Sequence, residues 1–294
     1  MAFYNTFSNP IFQVFKTWKV RLILVFIFFN SCVKENEVPA YLYIPSFSLT
    51  TKAGEGSAMQ KITDVWVYVD GQINGVFQMP VTLPLIEIGK HEISIFAGVR
   101  NNGIKSNPVI YPFYTVYKIN LDLKAGKVDT VRPTTTYVAN TQFKIMEDFE
   151  TNNNFRIDRD GNNSVSFTRV DSGFEGKSGQ IVLTKAQKTM EKASATKAEL
   201  SNVAENIYLE LHYKTESELS VGIIGSDAST NPSGTASYKI TLFPTKEWNK
   251  TYINLTNEAK DLKMKEFQIV FRSLLPDSLN TATILIDNVK LIQK

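Results

Sequence analysis

The 294-residue sequence predicts an all-β protein of two sandwich-type domains behind an export signal. Three observations carry that expectation. β-Branched and aromatic residues gather in short runs closed by Gly, Asn, Asp or Pro, and no long stretch keeps a helical period. The length suits about two domains of roughly 100–200 residues each.

The export signal comes first. Lys16, Lys19 and Arg21 precede the apolar run Leu22 to Phe29, giving a positive n-region and a short h-region. The run falls far below the ~20 residues of a membrane-spanning helix, so removal of residues 1–31 is expected. It would take three cations with it and leave 29 against 29 acids, a neutral chain. Binding to a phosphate backbone needs a basic excess, so nucleic acid is excluded as a partner.

Directly after the run stands Cys32, the only cysteine, which can form no internal disulfide. Phe29-Asn30-Ser31-Cys32 resembles the lipobox of bacterial lipoproteins, although Asn30 departs from the usual small apolar residue. The resemblance implies acylation of Cys32. At about 0.8 kcal/mol per buried methylene, two or three acyl chains anchor a protein stably to a membrane. Val33-Lys34-Glu35-Asn36-Glu37 resembles the Lys/acidic tags that send some Gram-negative lipoproteins to the outer cell surface. Read without the resemblance, residues 32–40 are a plain flexible tether. The expected location is therefore the outer membrane of a Gram-negative bacterium, lipid-anchored and facing the cell surface.

Residues 41–135 read as the first sandwich. Ile62–Val69 is β-branched and aromatic and ends on the turn signal Asp70-Gly71. Glu92–Ala97 is introduced by Gly89-Lys90 and stopped by Gly98, and Tyr114–Leu123 alternates polar with apolar residues. Val69-Asp70-Gly71, Pro80-Val81-Thr82-Leu83-Pro84-Leu85 and Gly89-Lys90-His91-Glu92-Ile93 together resemble PEGA-like, immunoglobulin-type modules of surface lipoproteins. That resemblance implies a spacer without chemistry.

Arg132 to Tyr137 breaks the pattern, and residues 136–142 serve as a linker. Residues 143–294 then hold nine strand-like pieces, from Phe143–Phe149 to Ile284–Leu291, which suggests a jelly roll. Glu147-Asp148-Phe149-Glu150, Gly173 to Gly179, Glu247 to Leu255 and the closing Ile284 to Leu291 resemble, in that order, the galactose-binding-like jelly roll of family 4/9 carbohydrate-binding modules. The resemblance implies glycan binding. It also implies a structural calcium between Glu150 and Asp287, with Asp148 a third candidate, completed by carbonyls and water.

Sugar platforms are exposed aromatic rings, and Trp248, Tyr208, Tyr213 and Tyr238 are the candidates, Trp248 competing with a core role. Catalysis finds little support. His91 sits at a strand entry. His212 alternates with Leu209, Leu211 and Tyr213, which predicts that it faces solvent beside Glu210 and Lys214. No G-x-S-x-G elbow, complete P-loop or Cys/His ligand cluster occurs. The expectation is a non-enzymatic, membrane-anchored lipoprotein whose jelly roll binds glycan at the cell envelope. The alternatives are a scaffold that binds another envelope protein and, behind it, a glycan hydrolase working through a carboxylate pair.

Overall fold

The computed structural model describes residues 38–161, 165–201 and 203–294. The signal at 1–31, Cys32 and the tether as far as residue 37 lie outside the described residues. What is described is almost entirely β, in two sandwiches.

The first sandwich runs through β1 (Ala40–Ile44), β2 (Ser48–Leu49), β3 (Asp64–Val69), β4 (Gln72–Gln78), β5 (Val81–Leu85), β6 (Gly89–Arg100), β7 (Pro108–Ile110), β8 (Tyr117–Leu123), β9 (Val128–Thr130) and β10 (Thr134–Thr135). One sheet has the order β4-β3-β6, with β7 and β8 both pairing the long β6. Facing it is β5-β1-β9, in which β1 runs parallel to β9, and β2 pairs β10 beside it. Period-2 alternation explains the burial. Val65, Val67 and Val69 of β3 point into the core, while Trp66 and Tyr68 stay half-exposed on the other face.

The second sandwich uses β11 (Gln142–Glu147), β12 (Ile157–Asp158), β13 (Thr168–Val170), β14 (Ser178–Thr184), β15 (Thr189–Ala193), β16 (Ala198–Glu199), β17 (Ile207–Thr215), β18 (Leu219–Asp227), β19 (Asn231–Leu242), β20 (Asn249–Asn254), β21 (Glu266–Leu274) and β22 (Thr281–Gln293). A short helix, α1 (Thr256–Leu262), joins β20 to β21. One sheet, ordered β13-β14-β22-β17-β20 with β11 also on β22, faces the first sandwich. The other, β12-β15-β21-β18-β19 with β16 on β21, turns its outer surface away from the core and is called the open sheet below. The ring and aliphatic side chains of Phe267, Ile269, Phe271, Leu209, Leu211 and Ile284 fill the space between the two sheets.

β17 corrects one expectation. Leu209, Leu211 and Tyr213 do point one way into the core, but Glu210 and His212 on the opposite face are buried and not in water. The first sandwich covers that face. Tyr208, Tyr252 and Ile292 of the second sandwich share one apolar cluster with Tyr111, Phe113, Tyr114 and Tyr137 of the first. Edge-to-face rings dominate it, with Tyr111 centred 4.6 Å from Tyr114, 4.8 Å from Tyr252 and 5.4 Å from Tyr208.

At its centre Glu210 is wholly buried. Lys250 Nζ lies 2.9 Å from its Oε2, and the Tyr111 and Tyr137 hydroxyls donate to its Oε1 at 2.8 and 3.0 Å. Burial opposes ionisation of Glu210, but Lys250 and Lys290 outweigh it and hold the carboxyl below its ordinary range. The two ammonium groups also donate across the junction, Lys250 to Met59 O and Lys290 to Ser57 O, each at 2.7 Å. Main chain completes the contact, because Asn102 N donates to Tyr252 O at 2.9 Å and Asn254 N to Asn102 Oδ1 at 2.8 Å.

Removing one member of such a group leaves an uncompensated buried charge. Glu210→Ala should therefore lower unfolding free energy by about 3–5 kcal/mol, read by chemical denaturation of the two-sandwich chain. A loss below about 1 kcal/mol, the range of an exposed pair, would show that water reaches the junction.

Candidate functional site

The open sheet presents its outward residues in rows set by strand register. Thr241, Ser220, Arg272 and Glu191 stand side by side across β19, β18, β21 and β15. One row further along come Tyr238, Gly222, Val270 and Ala193. On the other side of the polar row lie Phe243, just past β19, and Leu274 at the end of β21, 68% and 60% exposed. A polar row thus runs between two apolar ones. Part of it lines a shallow cavity of about 550 Å³ with Tyr238, Ser220, Arg272 and Leu274 in its wall and Pro244 and Pro276 at its rim.

Local sequence explains the shape. In β21 Phe267, Ile269 and Phe271 alternate inward, which forces Gln268, Val270, Arg272 and Leu274 outward. A bulge between Val221 and Gly222 sets β18 against Tyr238. Gly222 is required there, since a β carbon would lie 2.0 Å from Ser237 O and 2.7 Å from Tyr238 Cα. The Tyr238 ring covers Ala193, Ile224 and Val270, a small buried apolar group on this outer face.

Charge crosses the same surface. Arg159 Nη1 donates to Ser233 O at 2.6 Å, reaching from the β12 edge to the β18–β19 hairpin, and its Nε is buried with no hydrogen-bond partner. Burial and the neighbouring Glu191 carboxylate push the Tyr238 hydroxyl well above its ordinary ionisation range, against Arg272 and Arg159. Glu191 is near enough to act on the hydroxyl, yet Tyr238 Oη meets no partner at hydrogen-bonding geometry. Rings, guanidinium groups and a carboxylate converge here on one half-exposed surface, a set suited to hydroxyl-rich ligands with apolar faces.

The other expected ligand residues lie elsewhere. Tyr208 is buried between the sandwiches, its hydroxyl 3.1 Å from Asn254 Nδ2, and offers no ring face to a ligand. Tyr213 packs in the jelly-roll core and accepts a hydrogen bond from Asn249 Nδ2 at 2.9 Å. Trp248 is half-buried and meets Phe174 edge-on at 6.0 Å, while Phe174 stacks on His212 at 4.1 Å. Of the four candidates, only Tyr238 stands on the open sheet.

The calcium candidates all accept main-chain amides. Asp287 Oδ2 accepts from Phe174 N and Glu175 N at 3.0 and 3.1 Å, and its Oδ1 accepts from Asn288 N at 2.6 Å. Glu150 Oε1 accepts from Lys177 N at 2.7 Å, and Asp148 Oδ1 accepts from Glu150 N at 3.1 Å. Asp287 and Glu150 thereby hold the 173–177 loop through its amides. Among the described residues no three His, Cys, Asp or Glu side chains gather as ligands.

A second cavity, of about 490 Å³, lies between the sandwiches and includes Ser57, Glu147, Asn153, Asn154 and Lys290. Its buried polar side chains are engaged with main chain, while Thr151, Asn152 and Arg156 also line it. Glu147 takes Phe149 N and Asn154 N, Asn153 bonds Phe167 O and Phe155 N, and Asn154 Oδ1 takes Thr196 N. That leaves the open sheet as the better candidate.

Sequence reasoning named Tyr238 but missed Arg272, Glu191, Arg159 and Phe243. For Arg272 and Glu191 the signal was present as strand alternation. Phe243 continues the same alternation past Thr241, whereas Arg159 depends on a loop path that alternation does not encode.

No protein-family model and no curated protein matches the chain. Solved structures do resemble it. The family 11 carbohydrate-binding module of a cellulosomal cellulase of Clostridium thermocellum is 15% identical, over 51% of this chain and 95% of its own, at a TM-score of 0.36. A mutant family 29 carbohydrate-binding module complexed with cellulohexaose is 12% identical over 53% and 93%, at 0.34. The K3 cleaved adhesin domain of Lys-gingipain from Porphyromonas gingivalis is 14% identical over 52% and 99%, at 0.36. Scores at this level leave the site to be read from its own geometry.

The buried histidine carries a pH prediction. Burial, then repulsion from Lys250, lowers His212 to about 3, against partial support from Glu210. The unfolded chain, titrating near 6.5, binds the extra proton throughout that window. Stability is complete above 6.5 and falls toward pH 3, with this group contributing about 1.4 kcal/mol per pH unit. Comparing denaturation midpoints from pH 7 to pH 4 should show a shallower decline in His212→Gln than in the parent. Parallel declines would mean that His212 is charged in the folded state.

Proposed function

We propose that this chain is a non-enzymatic binding protein of the cell envelope, anchored by acyl chains on Cys32, whose second sandwich captures glycan on the open sheet. One observation carries the glycan reading. The polar row Thr241, Ser220, Arg272 and Glu191 is flanked by Tyr238 on one side and Phe243 with Leu274 on the other. A saccharide offers the matching pattern, with equatorial hydroxyls around its rim and C–H faces that lie on rings. The first sandwich acts as the spacer between anchor and binding face, as PEGA-like modules do.

Anchoring rests on the lipobox-like Phe29-Asn30-Ser31-Cys32 and the acidic-basic stretch behind it. A second reading, a scaffold holding another envelope protein, draws on the same exposed Phe243 and Leu274, which would suit an apolar partner.

A glycan array probed with residues 33–294 tests the first reading. The second sandwich alone is unsuitable, because separation would expose Glu210, Lys250 and the tyrosines around them. Binding should appear for at least one polysaccharide. It should weaken about 10- to 100-fold in Arg272→Ala, the worth of a charge-assisted hydrogen bond, with the unfolding midpoint unchanged. Silence from folded protein, together with retention of an envelope protein in a pull-down that Phe243→Ala abolishes, would put the scaffold reading in front.

A further inference from the structure

Four exposed aliphatic side chains of the first sandwich gather at one end, while Val76 and Ile104 lie elsewhere on it. Val38 is 57% exposed, Ile86 72%, Ile88 49% and Val128 57%. Backbone pairing brings all four to one end. Ala40 pairs Leu85, which sets Val38 and Pro39 beside the 86–88 connection between β5 and β6. Gly126 N donates to Pro39 O at 2.9 Å, and a β carbon on Gly126 would touch Val38 Cγ1 at 3.7 Å. Tyr41 pairs Val128, and Gly89 pairs Leu123. The tip therefore consists of the entry to β1, the β5–β6 connection and the β8–β9 turn.

Exposed lysines stand around it, with the exposed acids Asp70 and Asp122 among them. Lys90 follows Gly89, and Lys124 and Lys127 flank the turn, Lys124 lying 3.8 Å from Asp122. Glu87, the acid between the two isoleucines, is only half-exposed, and its Oε2 is buried. Aliphatic side chains at the apex with ammonium groups behind them match the interfacial zone of a bilayer, where acyl chains lie beneath phosphate.

The position of this tip along the chain selects the occupant. Cys32 stands six residues before Val38. However those residues are arranged, a chain covers at most ~3.6 Å per residue, so the two Cα atoms lie within about 22 Å. An acylated Cys32 sits at the membrane surface, and the tip is the part of the described protein tied to it by the shortest chain. Tethering at that range gives an effective concentration on the order of millimolar, enough to populate a weak contact.

We propose that the tip formed by Val38, Ile86, Ile88 and Val128 docks into the bilayer that holds the anchor, so that the first sandwich stands on the membrane. The proposal rests on the anchoring reading given above.

The test uses the full lipidated chain in vesicles of phosphatidylethanolamine and phosphatidylglycerol. Acylation consumes the thiol of Cys32, so Ile86→Cys introduces a single site for a fluorophore. Ser106→Cys, in the β6–β7 connection at the far end of β6, is the control. Lipids carrying a nitroxide on the acyl chain should quench most of the emission at position 86 and little at 106. Ile88→Asp should reduce the quenching at 86. Equal, weak quenching at both positions, with acylation of Cys32 verified by mass, would overturn the docking and leave the anchor standing. A label at 86 shielded from aqueous iodide but not reached by the lipid nitroxide would assign the tip to a protein partner or a second copy, and also overturn it. An unmodified Cys32 would remove the anchoring reading and the docking with it.

Discussion

A carboxylate kept from water, Glu210, governs how the two sandwiches meet. Its ionised form is tolerable only because Lys250 and Lys290, on neighbouring strands, and two tyrosine hydroxyls from the first sandwich surround it. Neither half supplies the whole set. The second sandwich alone would carry its charges on a wet sheet surface, and the first alone would expose a bank of tyrosines. An aliphatic junction of the same area could slide, whereas these hydrogen bonds have directions and lose most of their worth when displaced. The Asn102 and Asn254 contacts restrict the same motion at the edge of β20.

That junction also decides which surfaces remain for ligands. By covering the outward face of β17, β20 and β22, it withdraws Tyr208 and Tyr252 from solvent and leaves the opposite sheet as the open one. The largely exposed Phe243 and Leu274 lie on that open side, while Val38, Ile86 and Val128 lie at the tip of the first sandwich.

Much of the strand layout was legible in the sequence. Runs such as Ile62–Val69, Leu219–Ile224 and Ile284–Leu291 overlap β3, β18 and β22, because β-branched alternation between turn residues is a local property. Limits appear where a second body intervenes. The alternation in β17 correctly separates Leu209 and Leu211 from Glu210 and His212, but it cannot say that a tyrosine-rich surface will cover the polar side. A mostly polar outward face normally means water, and here it means a neighbouring sandwich. The acids at 148, 150 and 287 read two ways for a similar reason, since a metal site and a set of amide acceptors require the same residue types. The segment Thr256–Leu262 escaped notice because seven residues are too few to establish a helical period. Tyr238 was visible as an aromatic in a strand, while its companions Arg272 and Glu191 became meaningful only when register placed them in one row.

The position of β22 has a consequence for biogenesis. This strand lies at residues 281–293, after every other strand described, yet it is central to the docked sheet, pairing β11, β14 and β17. It also brings Ile292 and Lys290 to the junction. In a chain made N-terminus first, β11 therefore lacks its partner, and β14 and β17 each keep one free edge, until residues 281–293 arrive. A chain cut short before residue 281 would present those open sheet edges to proteases and to other chains.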